Sequence, residues 1–156
     1  MAQAQAKISH RRERGHAVIA GTLSVPLLQF DLMEETRQLR QEDSWVRGTG
    51  RSSKTLVKYP DLRIVLIAMK ANTRMHEHTA AARISVQSLS GHIRLHLPER
   101  VVDLPPGHLL ALGQCVPHDV EASKDSAFLL TLSWPLETEI QKSKMHRKKT
   151  IRHKGK

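Results

Sequence analysis

Short apolar segments separated by turns dominate the chain between about residues 53 and 135. Each segment has about four to eight residues rich in Val, Ile and Leu, and such segments are typical of β-strands. Glycine, proline, serine and aspartate mark the turns, as at Ser90-Gly91 and Pro105-Pro106-Gly107. The pattern predicts an all-β sandwich or small barrel. The predicted strands are 55–59, 62–70, 74–78, 83–89, 92–97, 100–104, 109–112, 118–122 and 128–134.

Segment 92–97 shows the alternation of a strand most clearly. Its apolar residues share one parity and its basic residues share the other. Because strand side chains alternate between two faces, one face packs in the core and the other faces solvent. We predict a basic, solvated outer face here, formed by His92, Arg94 and His96. Aromatic residues make up only 3% of the chain, so the core must be aliphatic.

A strand and a helix are predicted before the β region. The strand covers 21–30, and Asp31 follows it with the side chain of a good N-cap. The spaced apolar residues that come next predict a short surface helix from Leu32 to about Asp43. Trp45 is expected to pack this helix onto the β body.

The net charge of +10 lies mainly at the two ends of the chain. Residues 1–14 carry four basic residues and one acidic residue, residues 137–156 carry eight and two, and residues 15–136 carry thirteen and twelve. The ends therefore hold +3 and +6, and the rest holds +1. Dense like charge favours a solvated, disordered segment. We divide the chain into a basic N-terminal tail at 1–15, one domain at 16–136 and a basic C-terminal tail at 137–156.

A single cysteine, Cys115, excludes an internal disulfide and fits a reducing compartment. The apolar stretch 17–28 is interrupted by Gly21 and Pro26, so it does not resemble a secretory leader, and no run has the length of a membrane span. We expect a cytoplasmic protein without membrane contact. The body lacks a basic stripe with interleaved aromatic residues, so nucleic acid is expected to bind only non-specifically, through the C-terminal tail.

His76 and His78 form a His-X-His pair on the predicted strand 74–78. Residues two apart on a regular strand point to the same face, so both imidazoles can converge on one metal ion. His92, His96, His108 and the histidines of the tails are expected to be surface or packing residues.

The region from Met69 to Trp134 resembles a small bacterial cupin, a single-domain jelly-roll barrel marked by two short motifs. The first motif runs Gly, five residues, His-X-His, three or four residues, Glu, six residues, Gly. His76 and His78 match its histidines, and Gly91 matches its last glycine within one residue of spacing. The second motif runs Gly, five residues, Pro-X-Gly, two residues, His, and its matches complete the likeness. They are Gly107 and His118, with Gly113 and Cys115 in place of the Pro and Gly between them.

The resemblance implies a cupin-type jelly-roll barrel in which His76, His78 and His118 bind a divalent transition metal: Fe, Mn, Ni, Cu or Zn. Arg83 departs from the family pattern, because it stands where the first motif has its glutamate. At about 5 Å and an effective dielectric of about 20, two unit charges interact by roughly 3 kcal/mol, and a divalent ion doubles this. Arg83 must therefore point away from the ion, be paired, or have displaced the metal.

The expected function is binding of the metal and of a small polar or anionic metabolite in the barrel mouth. Arg74 and Arg83 are the residues expected to attract a carboxylate or phosphate, and Gln87 shares the parity of Arg83 and would reach the metal only in a shifted register. Whether the chain is an enzyme stays open; for a catalytic member the resemblance implies metal-dependent oxygenase or isomerase-type chemistry.

The alternative is a metal-free, non-catalytic cupin whose barrel binds a ligand or only supports a dimer. Arg83 at the glutamate position motivates it. A homodimer is expected from the resemblance in either case.

Overall fold

A computed structural model describes residues 27–134 of the chain. Two short helices precede nine strands in this range. The helices are α1 (Leu32–Leu39) and α2 (Asp43–Val46). The strands are β1 (Arg51–Lys58), β2 (Leu62–Met69), β3 (Thr73–His78), β4 (Arg83–Ser90), β5 (Ile93–Leu97), β6 (Arg100–Leu104), β7 (Leu109–Leu112), β8 (His118–Ala122) and β9 (Ser126–Ser133). The tails predicted at 1–15 and 137–156 lie outside the described residues.

The strands form two antiparallel sheets, as the all-β prediction requires. One sheet has five strands in the order β1-β2-β9-β4-β7, and the other has four in the order β3-β8-β5-β6. Each of the nine strands predicted between residues 55 and 134 is present, but β1 begins at Arg51, four residues earlier than predicted. Within residues 27–134, no helix has the length and apolar character that a membrane crossing needs.

The two sheets enclose a core that is aliphatic apart from Phe128 and the partly buried Trp134, and we call it the barrel core. Its buried members come from both sheets and include Ile84 and Val86 of β4, Ile93 and Leu95 of β5, and Phe128 of β9. They recur at every second position of their strands, because alternate side chains point to the same face of a sheet. The barrel-core prediction for segment 92–97 is confirmed, since Ile93 and Leu95 are fully buried.

A second apolar layer lies on the outer face of the five-stranded sheet. Leu39, Trp45, Leu66 and Ala68 form it, and we call them the outer cluster. Strand β2 is therefore apolar on both faces, because its alternate residues Ile67 and Met69 belong to the barrel core. The prediction that Trp45 packs the helical segment onto the β body is confirmed.

Helix α1 begins as predicted and ends earlier. The Asp31 carboxylate accepts hydrogen bonds from the backbone N–H groups of Met33 (3.0 Å) and Glu34 (3.1 Å), which caps the helix. The helix stops at Leu39 and not near Asp43. A continuous helix would turn residue 45 about 120° away from Leu39, whereas the break at 40–42 brings Trp45 and Leu39 into one cluster.

Two other predictions need correction. Residues 27–30 of the predicted first strand have no regular structure, and the remainder of that prediction lies outside the described residues. The basic outer face of β5 is half-buried, because acidic residues of the neighbouring strands β6 and β8 lie beside it. Arg94 forms an ion pair with Asp103, and the two histidines form hydrogen bonds with carboxylates. His92 Nε2 lies 3.0 Å from Asp103, and His96 Nε2 lies 2.9 Å from Glu121.

Candidate functional site

His118 is the first residue of β8 and lies on the face of that strand that lines the barrel. Val120 and Ala122, at the same parity, belong to the barrel core. The imidazole is almost completely buried, with 4% of its surface exposed. Its Nδ1 atom lies 2.8 Å from the carbonyl oxygen of Val116, which can only accept, so Nδ1 donates the hydrogen bond.

His78 meets His118 through an irregularity in β3. Met75 pairs with Val120, and His78 pairs with His118, so β3 has two residues where β8 has one. This is the count of a β-bulge, which re-aims the side chains that follow it. The two imidazole centroids lie 4.4 Å apart, with the rings tilted by 56°. His78 Nδ1 also donates to a backbone carbonyl, that of His76, at 2.9 Å.

The bulge changes how His76 relates to its neighbour. The register shift falls between Met75 and His78, so strand alternation alone no longer puts His76 and His78 on one face. Both rings are exposed, and the ring contact with His118 is made by His78. Across residues 27–134, no group of three or more His, Cys, Asp and Glu side chains is arranged to hold a metal ion.

Arg83 lies on the outer face of β4. Ile84 and Val86 point into the barrel core. Because side chains alternate along a strand, Arg83, Ser85 and Gln87 point to the opposite, outer face. Both Arg83 and Gln87 are exposed. The charge of Arg83 therefore points away from the histidines, which is one of the three possibilities that its position at the glutamate site left open. Gln87 points away from them too.

Arg74 lies on the outer face of the four-stranded sheet. Its guanidinium donates to the Asp119 carboxylate at 2.5 Å, and this hydrogen bond raises the pKa of Arg74 above its ordinary value. Asp119 has 6% of its surface exposed, and its Oδ1 is buried without a hydrogen-bond partner in the described structure. The structure thus brings His78 and His118 together, and separates them from Arg74, Arg83 and Gln87.

Comparison with known proteins identifies the architecture. No family model and no curated protein matches the chain. Solved structures do match: a cupin superfamily protein from Desulfitobacterium hafniense is 15% identical with a TM-score of 0.53, over 55% of this chain and 78% of that one. A cupin-2 domain protein from Shewanella frigidimarina is 12% identical with a TM-score of 0.55, over 67% of this chain and 94% of that one. The chain has the cupin fold.

The same fold occurs in proteins of other names. A conserved Streptococcus pyogenes protein of unknown function is 19% identical with a TM-score of 0.58, over 74% of this chain and 94% of that one. The cupin domain of Cnp3 from Schizosaccharomyces pombe is 10% identical with a TM-score of 0.54, over 60% of this chain and 71% of that one. Identities this low show the fold alone, so the chemistry of the cupin barrel has to be argued from its own residues.

The two imidazoles suit a divalent transition ion. Because each Nδ1 donates its proton to a backbone carbonyl, each Nε2 carries the free lone pair. Metal-bound histidines usually have this arrangement, in which the second nitrogen fixes the tautomer and the ring orientation. His78 and His118 therefore fit two of the three ligand positions that the cupin resemblance implies. The glutamate position adds no carboxylate, since Arg83 occupies it and points outward.

Arg63 is a further charged residue of the cupin barrel, and no motif of the sequence marks it. It has the parity of Val65 and Ile67 on β2, both of which contact or belong to the barrel core. It also pairs with Leu132, which packs on the same core. The alternation of β2 was the signal that could have found it, because an arginine in phase with a buried apolar series points towards the core side.

Proposed function

We propose that this cupin-fold protein binds a divalent transition metal ion and a small polar or anionic molecule at the end of its barrel where His78 and His118 lie. We call this the histidine end. The contact between the two imidazoles, 4.4 Å between centroids, is the observation that carries the proposal. His76, two residues from His78 on the same strand, is the candidate for a third ligand.

The ligand set consists of neutral imidazoles, which suit Fe, Mn, Ni, Cu and Zn. When bound, such an ion supplies Lewis-acid chemistry or redox chemistry at coordination positions that protein atoms leave open. The backbone carbonyls of His76 and Val116 orient the rings, and burial keeps His118 in place before any ion arrives. The outward position of Arg83 keeps its charge away from the two imidazoles.

Metal titration of untagged protein tests the proposal. Zn²⁺ binding, followed by calorimetry, is expected to be stoichiometric in the wild type. His78→Ala and His118→Ala should each raise the Kd at least about tenfold, because each removes one direct ligand. His108→Ala is the matched control, since His108 is exposed in the turn before β7 and should not change the Kd.

The His76→Ala variant assigns the third ligand. A Kd raised as in His78→Ala supports a three-His site, and an unchanged Kd limits the site to the other two histidines. His78 is exposed, so its variant should fold even if loss of the buried His118 ring destabilises the barrel. Absence of stoichiometric metal, or equal affinity in all four variants, would contradict the proposal.

A metal-free barrel that binds only the small molecule is the second candidate. The missing third ligand favours it, because no group of three metal-binding side chains is assembled in the range 27–134. Under this candidate His78 and His118 act as hydrogen-bond donors and acceptors to the ligand through Nε2. Ligand binding that is unaffected by removal of metal would support it over the first.

A further inference from the structure

Arg63 sits at the histidine end of the barrel. Strand β2 ends at Met69 and β3 begins at Thr73, so the chain reverses between them and the Arg63 end of β2 lies with the His78 end of β3. The turn between β8 and β9 leads to the same placement of Arg63. Because β8 begins at His118 and β9 ends at Ser133, the partner of Arg63 on β9, Leu132, is at the His118 end.

The Arg63 guanidinium is positioned by an aromatic ring, but one of its buried N–H groups lacks a hydrogen-bond acceptor among the described residues. It stacks over the ring of Trp134, with Cζ 5.7 Å from the ring centroid. Within residues 27–134 its Nε atom is buried without a hydrogen-bond partner, and Arg63 forms no ion pair there. A buried N–H group without a partner destabilises the fold, and more so when the group is charged. Trp134 fixes the plane of the guanidinium by cation–π contact and leaves its N–H edge free.

A second cation faces the same side. Lys58 of β1 is the direct cross-strand partner of Arg63, so both side chains leave the sheet on one face. Lys58 is exposed and, like Arg63, makes no ion pair with a described residue. Like charges directly opposite each other destabilise a sheet. A bound anion would remove this repulsion and also satisfy the buried Nε.

We propose that Arg63, stacked on Trp134 and flanked by Lys58, is an oxyanion subsite that binds the carboxylate or phosphate group of the small molecule. This inference rests on the proposed function and names the charged group of its ligand. A planar guanidinium offers two parallel N–H donors to a carboxylate or phosphate, and Lys58 adds a point charge. The subsite replaces Arg74 and Arg83 as the anion-binding residues, since Arg74 is paired with Asp119 and Arg83 is on the outer face.

The indole N–H signals of the two tryptophans test the subsite by NMR. Only Trp45 and Trp134 are present, and they lie in different apolar layers. Protein freed of metal by chelator and dialysis is titrated at constant ionic strength with malonate, with inorganic phosphate and with chloride. Malonate or phosphate should shift the Trp134 signal saturably, while chloride should not and Trp45 should stay unchanged. Whichever of the two binds more tightly identifies the group.

Variants then assign the effect to the subsite. Arg63→Gln should raise the Kd for the tighter oxyanion about tenfold or more, as expected for loss of a charge-assisted bidentate contact. Arg63→Lys and Lys58→Gln should raise it less, because each keeps one part of the site. Arg83→Gln is the matched control: it removes the same charge from the outer face and should leave the Kd unchanged.

Two results would overturn the subsite. One is a Trp134 shift that chloride reproduces, and the other is equal Kd values for Arg63→Gln and Arg83→Gln in protein whose indole spectrum shows it is folded. Because the titration uses metal-free protein, failure of the metal site leaves it unaffected, and the histidine variants report that failure separately.

Discussion

Gly91 shows how one residue can be fixed by both its backbone and its surroundings. Its φ is +77°, and a Cβ added there would lie 2.3 Å from the carbonyl oxygen of Asp125 and 2.4 Å from Ser126 Oγ. Real Cβ atoms do not approach so closely, so the turn between β4 and β5 requires glycine. Gly91 is the residue that resembles the last glycine of the first cupin motif, within one residue of spacing, and its steric surroundings account for a glycine here.

We predict that Gly91→Ala lowers the free energy of unfolding by at least about 2 kcal/mol, through the left-handed φ and the clash with the backbone of Asp125. Gly107→Ala is the matched control, because Gly107 has a φ of +82° and no atom within 4 Å of an added Cβ. The free energy of unfolding of this variant should fall by only about 1 kcal/mol, the cost of placing alanine in the left-handed region. Urea unfolding of both variants checks this, and equal losses would contradict the steric cause.

Single residues of the site divide into those that a sequence can place and those that it cannot. The alternation of β2 suffices to put Arg63 on the core side. The spacing of His118 within the second motif also suffices to select it. The hydrogen bond of His96 with Glu121 and the ion pair of Arg74 with Asp119 depend on how β3 and β5 align with β8. This alignment joins residues far apart in the chain.

At the scale of elements, the bulge in β3 decides the geometry of the site. A regular strand would set Glu77, not His78, opposite His118, because Met75 already pairs with Val120. No residue of segment 73–78 indicates that the strand contains a bulge, because the bulge arises from the pairing of β3 with β8. The early end of α1 has a similar cause: the outer cluster requires Trp45 beside Leu39, and this outweighs the helical pattern.

We predict that Asp31→Ala lowers the stability of the protein by about 1 kcal/mol, because α1 loses the carboxylate that accepts two N-terminal N–H groups. Asp31→Ser is the control, since its hydroxyl can cap the helix and should restore most of the loss. Thermal unfolding measures both. If Asp31→Ser falls as far as Asp31→Ala, the cap is not the cause.

At the scale of the whole molecule, the strand-and-turn pattern was enough to predict an all-β barrel. Each turn is local, so glycine and proline mark it in the sequence. The order of strands in the sheets was not predictable in the same way. Strand β9, the last one described, lies between β2 and β4, and such a pairing follows from closure of the whole barrel.

We predict a homodimer in which the edge strands β6 and β7 take part. Each carries an exposed large apolar side chain, Val101 with 52% and Leu109 with 61% of its surface accessible. An open edge with apolar side chains favours pairing with another chain. Light scattering should give a dimer for the wild type and a monomer for the Val101→Lys, Leu109→Lys double variant.

Met33→Lys is the control for that measurement, because Met33 is 85% exposed on α1, away from both edges. It should leave the dimer intact. A monomeric wild type, or dissociation by Met33→Lys alone, would contradict the prediction.

Strand β2 is apolar on both faces, so its apolar residues do not determine which face points into the barrel. Slippage by one residue would exchange Ile67 and Met69 with Leu66 and Ala68, apolar for apolar. The same slippage would move Arg63 from the open end of the barrel to the side that the helices cover. The arginine that we assign to ligand binding therefore also distinguishes the two faces of β2, because it is the charged residue that the slipped alignment would move across the sheet.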